Sequence, residues 1–126
     1  MLKVLYVGLG GMIGSVLRYG MNVYVPKLLG TQFPFATLFV NVLGGVLIGF
    51  VMGLSQSNEN FSPELRLFLT TGIAGGFTTF STFSYESIQL LVPGTYSLGI
   101  INICLNVLCS LAAVLLGRLL ARFIVG

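Results

Sequence analysis

Long apolar stretches alternate with short polar segments along the whole chain. The apolar stretches cover residues 4–25, 35–54, 67–92 and 95–125. Each is long enough to cross a bilayer as a helix, which takes about 20 mostly apolar residues. The pattern therefore predicts an all-α membrane protein, with one domain of four transmembrane helices that fills the chain.

Prolines and polar residues mark the predicted loops. Pro26 is predicted to begin a loop that ends at Pro34. Residues 55–66 are the most polar segment and form the predicted loop between the second and third helices. Pro63 followed by Glu64 is typical of the first turn of a helix.

The composition supports this assignment and excludes other classes. Of 126 residues, 56% are hydrophobic and 7% are charged, whereas roughly a quarter are charged in a soluble domain. So few charges cannot cover a surface in water, and the chain is too hydrophobic to be disordered. It contains no His, no carboxylate pair and no basic patch, so neither an enzyme nor a nucleic-acid-binding protein is expected.

The charged residues favour one orientation. With four crossings, both termini lie on one side, and the positive-inside rule then favours cytoplasmic termini. Lys27 alone lies on the opposite side. The basic residues on the side of the termini are Lys3, Arg66, Arg118 and Arg122.

Polar and small residues recur every four positions in the first two helices, so they share a face. Arg18 and Asn22 continue such a stripe in the first helix. Arg18 is either an interfacial arginine or a fixed positive charge at the mouth of an anion path. In the second helix Asn41 is followed at the same spacing by a ridge of glycines, which is typical of a packing seam. The ridge consists of Gly45, Gly49 and Gly53. The amide of Asn41 needs a partner in the membrane and can donate to an anion.

The fourth helix carries Asn102, Asn106 and Ser110 on one face. These three side chains either bond to neighbouring helices or line a path, and the spacing does not separate the two interpretations.

The third segment combines glycines with hydroxyl groups. Gly72, Gly75 and Gly76 are poor helix formers, and five hydroxyl residues follow within residues 78–84. We therefore expect this helix to be broken near residues 75–79, which would free backbone groups in mid-membrane. Freed carbonyls coordinate cations, and helix N-termini favour anions.

Aromatic and acidic residues follow the glycines. Phe77, Phe80 and Phe83 recur every three residues, which is typical of lipid or core contact. The weakly positive edge of a ring can also contact a small anion beside hydroxyl groups. Glu86 shares a face with Thr82 and is either a pairing or capping carboxylate or a selectivity element.

Three motifs resemble the Fluc family of bacterial fluoride channels, also called CrcB proteins. They are GGMIGSVLRY at residues 10–19, TLFVNVLGGVLIG at residues 37–49 and GIAGGFTTFSTFSYE at residues 72–86. The third is the most specific, and the resemblance covers essentially the whole chain. It implies passive, fluoride-selective conduction that exports cytosolic fluoride across the bacterial inner membrane.

The resemblance also implies roles for individual residues. Phe80 and Phe83 would meet fluoride with their ring edges, Asn41 would be a pore amide, and Arg18 would lie at the vestibule. The polar track would comprise Ser81, Thr82, Ser84 and Ser110. Spacing alone adds Asn102 and Asn106 as candidates for the pore lining, and Glu86 is a further candidate.

The resemblance further implies an antiparallel, dual-topology dimer with two pores. Main-chain carbonyls of Gly75 and Thr78 would hold a structural Na⁺ that is not transported. A chain that inserts both ways should show little charge bias, so the bias found here fits a partnership with a related chain. Because no motif position is degraded, a homodimer is favoured over such a heterodimer.

Two other functions fit a small four-helix membrane protein. A multidrug-type cation exporter needs a carboxylate in its first helix, where this chain carries Arg18 and no Asp or Glu. A structural subunit of a larger membrane complex would use the stripes as packing seams.

Overall fold

Four helical spans build the fold, of which three are continuous and one is interrupted. The computed structural model describes all residues, 1–126, and contains helices and no strands. The elements are α1 (Leu2–Leu29), α2 (Phe35–Ser57), α3 (Pro63–Leu67), a π-helical segment (Phe68–Ala74), α4 (Gly75–Phe77), α5 (Ser81–Leu91) and α6 (Tyr96–Val125). Helices α1, α2 and α6 are each long and apolar enough to cross a membrane. The elements from α3 to α5 make up the interrupted span.

The first span is longer than the proline pattern indicated. Helix α1 continues through Pro26 to Leu29, so the loop predicted to begin at Pro26 is wrong. Proline removes one hydrogen bond from a helix, which membrane helices tolerate. The helix ends instead at Gly30, whose φ of 84° favours glycine and whose N–H bonds the Pro26 carbonyl at 2.9 Å.

The third span begins at Pro63, as the Pro63–Glu64 pair indicated, and therefore before the apolar stretch that starts at residue 67; since α2 extends to Ser57, the loop predicted over residues 55–66 is shorter than expected. Pro63 is the first residue of α3, and Glu64 lies in its first turn. The Ser62 hydroxyl caps the helix by accepting the N–H of Leu65 at 3.2 Å.

The break in the third span is present, at the C-terminal end of the predicted range of residues 75–79. Gly72 is part of the π-helical segment, and Gly75 and Gly76 belong to α4. The residues outside any helix are 78–80, and Thr78 is extended, with φ −81° and ψ 162°. Low helix propensity at the glycines therefore does not decide where the helix stops.

Glycines bring the spans into close contact. Helices α2 and α6 form the most extensive pair. A Cβ atom on Gly49 would collide with the Val114 carbonyl, and one on Gly117 would collide with the Val46 carbonyl. The glycine ridge of α2 is therefore a packing seam against α6, as its spacing indicated.

Replacing Gly49 with alanine should destabilise the protein, because the new methyl group meets fixed backbone of α6. Overpacking of this kind costs about 1–3 kcal/mol, which exceeds the gain of about 1 kcal/mol in helix propensity. Gly8→Ala is the matched control, since nothing lies within 4 Å of a Cβ there. Unfolding in mixed micelles measures both variants, and equal stability of the two would contradict the seam.

Candidate functional site

A groove of about 400 Å³ lies beside the break and is bordered by α2, α5 and α6. We call it the break groove. Five of the residues that sequence analysis assigned to the pore line it: Asn41, Phe80, Phe83, Asn106 and Ser110. The remaining lining residues are Gly44, Gly45, Ile48, Thr78, Thr79, Val107, Leu111 and Val114.

Two phenylalanine rings lie at the break. The centroids of Phe80 and Phe83 are 5.5 Å apart, and the ring planes meet at 58°. The Phe83 side chain is 8% exposed, whereas that of Phe80 is 78% exposed. One ring is therefore fixed in the fold, and the other extends from the surface of the single chain.

The Asn41 amide replaces the helical hydrogen bonds of Thr79. Its Oδ1 atom accepts the Thr79 N–H at 2.9 Å, and its Nδ2 atom donates to the Thr79 carbonyl at 3.1 Å. The second N–H of the same amide donates to Asn106 Oδ1 at 2.9 Å. Both N–H groups of Asn41 therefore bind protein acceptors in this structure.

The candidate amides of α6 are also bonded within the chain. Asn106 Nδ2 donates to the carbonyl of Asn102 at 2.9 Å and to its Oδ1 atom at 3.0 Å. Asn102 Nδ2 donates to the Ser87 hydroxyl at 3.0 Å. Asn102 is 0% exposed and does not line the break groove, so of the two alternatives left open for it, bonding to a neighbouring helix is the one observed.

The break frees the two carbonyls that the resemblance assigned to a cation. In a continuous helix the Thr79 N–H would bond the Gly75 carbonyl, but it binds Asn41 instead. The Thr82 N–H would bond the Thr78 carbonyl, but it bonds Thr79 Oγ1 at 3.1 Å. Carbonyl oxygens are hard ligands that suit a hard cation such as Na⁺, so the donor set fits the expected ion.

Hydrogen-bond donors remain free in the break groove. Ser110 Oγ is the one buried side-chain polar atom of the chain without a partner. The N–H of Phe80, the N-cap residue of α5, has no backbone carbonyl partner. Both residues line this groove, and a helix N-terminus favours negative charge, so unpaired donors lie close to a place that suits an anion.

A second cavity, of about 480 Å³, contains other predicted residues. Thr82 and Glu86 line it together with Asn22 from α1. The Thr37 hydroxyl donates to a carboxylate oxygen of Glu86. Glu86 is therefore a paired carboxylate here, at a distance along the span from the break groove.

Three of the residues assigned to the polar track and the vestibule line neither cavity. Ser81 is exposed, and the Ser84 hydroxyl donates to the Phe80 carbonyl of its own span at 2.9 Å. Arg18 is half-exposed on α1. The single chain thus does not assemble the polar track as one surface.

Comparison with known proteins assigns the family. The family model of CrcB-like protein, Camphor Resistance (CrcB), matches residues 5–118. The chain belongs to this CrcB-like family.

Its relatives match over nearly their whole length. A Clostridium perfringens protein named fluoride-specific ion channel FluC is 51% identical over 98% of this chain and 97% of its own. Proteins of the same name from Ruminiclostridium cellulolyticum and Clostridium novyi are 46% and 41% identical. These matches cover 98% of this chain and 95% and 97% of the two relatives.

Sequence reasoning missed three partners in this CrcB-like chain, Thr37, Thr79 and Ser87. Thr37 precedes Asn41 by four residues, and Ser87 follows Phe83 by four. The four-residue spacing that revealed the stripes would have placed both on the same faces. Thr79 gave no such signal, because the backbone groups that matter there are common to every residue.

Replacing Asn41 with aspartate should destabilise the CrcB-like fold. The substitution exchanges two N–H donors for an acceptor oxygen that faces the Thr79 carbonyl and Asn106 Oδ1. Leaving buried acceptors unpaired costs about 1–3 kcal/mol. Unfolding in mixed micelles checks this, with Asn60→Asp in the exposed loop between α2 and α3 as the control. Equal stability of the two variants would show that the Asn41 amide is not needed at the break.

Proposed function

We propose that this chain is a fluoride-selective channel, not an enzyme, that lets cytosolic fluoride leave the cell passively and so protects it from fluoride toxicity. It is a multi-pass protein of the bacterial inner membrane. Its full-length relatives carry the name fluoride-specific ion channel. The observation that carries the proposal is the break groove, which is lined both by two aromatic rings and by a serine whose buried hydroxyl has no partner.

The chemistry of the break groove suits a small anion. The edges of Phe80 and Phe83 carry weak positive charge, and the Ser110 hydroxyl and the Phe80 N–H are free to donate. These groups replace part of the water that fluoride loses on entry. Asn41 contributes by holding the backbone of Thr79, and so the Phe80 N–H beside it.

The path extends beyond the break groove. Thr82 and Glu86 line the second cavity, and Ser81 and Ser84 belong to the same span. These four residues continue the polar track, and Arg18 attracts the anion at the vestibule.

The working unit is an antiparallel dimer with two pores and a central Na⁺. Gly75 and Phe80 are both exposed in the single chain, which supports their contact with a second copy. The freed carbonyls of Gly75 and Thr78 from both copies would hold the ion. Bound there, Na⁺ supplies positive charge that fixes the two broken spans together and is not transported. The partner is a second copy of this chain in preference to a related one, because Asn41, Phe80 and Phe83 are all present in this sequence.

Purified chain in liposomes provides the test. A fluoride electrode should record rapid fluoride efflux when a potassium ionophore balances the charge, and chloride efflux should be far slower. Efflux from the chain alone would also show that no related subunit is needed. Transport of a lipophilic cation instead would indicate an exporter, and no transport from a folded protein that co-purifies with other subunits would indicate a structural role.

Replacing either pore phenylalanine should slow fluoride efflux without loss of the fold. Phe80→Ile and Phe83→Ile keep apolar volume but remove the positive ring edge, and we expect a loss of about tenfold or more in each. Phe123→Ile, at an exposed position near the end of α6, is the matched control. If both variants conduct fluoride at the rate of the control, the ring edges do not contribute to conduction.

Removal of Na⁺ should abolish most conduction. Exhaustive replacement of Na⁺ by a large organic cation leaves the carbonyls of Gly75 and Thr78 without their ion, and we expect slower efflux together with a shift from dimer to monomer. Light scattering and the fluoride electrode measure the two effects. Unchanged flux and an unchanged dimer in the absence of Na⁺ would contradict a structural sodium site.

A further inference from the structure

A chain of hydrogen bonds runs from one side of the break to the other through three helices. It starts at Thr79, passes through Asn41 on α2 and through Asn106 and Asn102 on α6, and returns to α5 at Ser87. The Ser87 hydroxyl then donates to the Phe83 carbonyl at 2.7 Å. The network therefore joins the residues on either side of Phe80.

Along this network each side chain donates to the next one in the same order. Asn41 donates to Asn106, Asn106 to Asn102, and Asn102 to Ser87. The last acceptor is a backbone carbonyl, which cannot donate. The Ser87 hydroxyl must therefore donate to Phe83 and accept from Asn102.

The donor and acceptor roles of Ser87 also determine how each amide earlier in the network is oriented. Asn102 must turn its NH₂ group toward Ser87, so its oxygen is left to accept from Asn106. Asn106 then presents its own oxygen to Asn41, which leaves Asn41 Oδ1 to accept the Thr79 N–H. The far end of the network therefore requires the same orientation of the Asn41 amide as its two bonds to the Thr79 backbone.

We infer that Asn102 and Ser87 are positioning residues, which hold the Asn41 amide and the Phe83 ring in the conducting arrangement without touching the ion. Asn102 is 0% exposed and Ser87 is 4% exposed. Neither residue lines the break groove or the second cavity. This inference rests on the proposed function, because its main measurement is fluoride efflux.

A double-mutant cycle tests the link. Ser87→Ala and Asn102→Leu each interrupt the network, and we expect efflux to fall on the order of tenfold in each. Because both act through one link, the double variant should be no slower than the slower single variant. Ser87→Thr keeps the hydroxyl and should restore efflux to near the wild-type rate.

A matched control distinguishes the effect of interrupting the network from the effect of losing any buried hydroxyl group. The Thr70 hydroxyl is buried in the same span and donates to the Arg66 carbonyl at 2.7 Å, in the same i to i−4 manner as Ser87. It lies outside the network, so Thr70→Val should conduct like the wild type. If Ser87→Ala is not recovered folded, Ser87→Cys, with a weaker donor, makes the same comparison and should be slower than the wild type.

Hydrogen–deuterium exchange gives a reading that does not depend on fluoride. The Thr79 N–H should exchange faster in Ser87→Ala and in Asn102→Leu, while α1 and α2 remain protected. Wild-type efflux in the same experiments tests the proposed function separately. Unchanged efflux and exchange in both variants, or losses that multiply in the double variant, would overturn the positioning role.

Discussion

The exchange of hydrogen bonds between the Asn41 amide and the backbone of Thr79 is the interaction on which the rest of the structure depends. A helix interrupted inside a membrane leaves N–H and C=O groups without partners, and each costs several kcal/mol in hydrocarbon. One amide side chain satisfies both groups of Thr79 at 2.9 and 3.1 Å. The break is therefore stable where it lies because α2 presents an amide to it.

That arrangement requires α2 to lie close to the third span. The asparagine side chain is short, so α2 must approach the third span closely enough for direct bonds. Glycines make this possible: Gly44 lies against the Thr78 side chain, and Gly45 and Gly49 lie against α6. The packing seam and the polar network therefore depend on each other, because the small residues let the helices approach and the amides then form hydrogen bonds between them.

The sequence was informative where a regular spacing carries the feature. The four helical spans, the glycine seam of α2 and the start of α3 at Pro63 all follow from patterns within one segment. The exact limits of the break did not follow, because Gly75 and Gly76 have low propensity yet remain helical, and the bonds to Asn41 on another helix determine where the backbone leaves the helix. The end of α1 was misplaced for a related reason, since Pro26 weakens a helix but Gly30 ends it.

In the candidate site, too, features within one helix could be predicted, whereas contacts between helices could not. Spacing identified Asn102, Asn106 and Ser110 as one face of α6, but it could not say which of them are bonded. In the folded chain Asn102 donates to Ser87 on α5, Asn106 accepts from Asn41 on α2, and the Ser110 hydroxyl is left free. That distinction depends on distances between helices, which no single segment contains.

A groove with few free donors is better suited to selective conduction than one with many. If the amides could turn toward the ion, they would adapt to anions of several sizes and would hold them tightly. With Asn41, Asn106 and Asn102 locked to one another, the groups that remain are the Ser110 hydroxyl, the Phe80 N–H and the two ring edges, and the backbone that carries them is fixed. Preorganised groups need no rearrangement when the ion arrives, and weak, separate contacts let it leave again. The extensive internal bonding of the amides is thus compatible with an anion path and accounts for the rigidity that such a path requires.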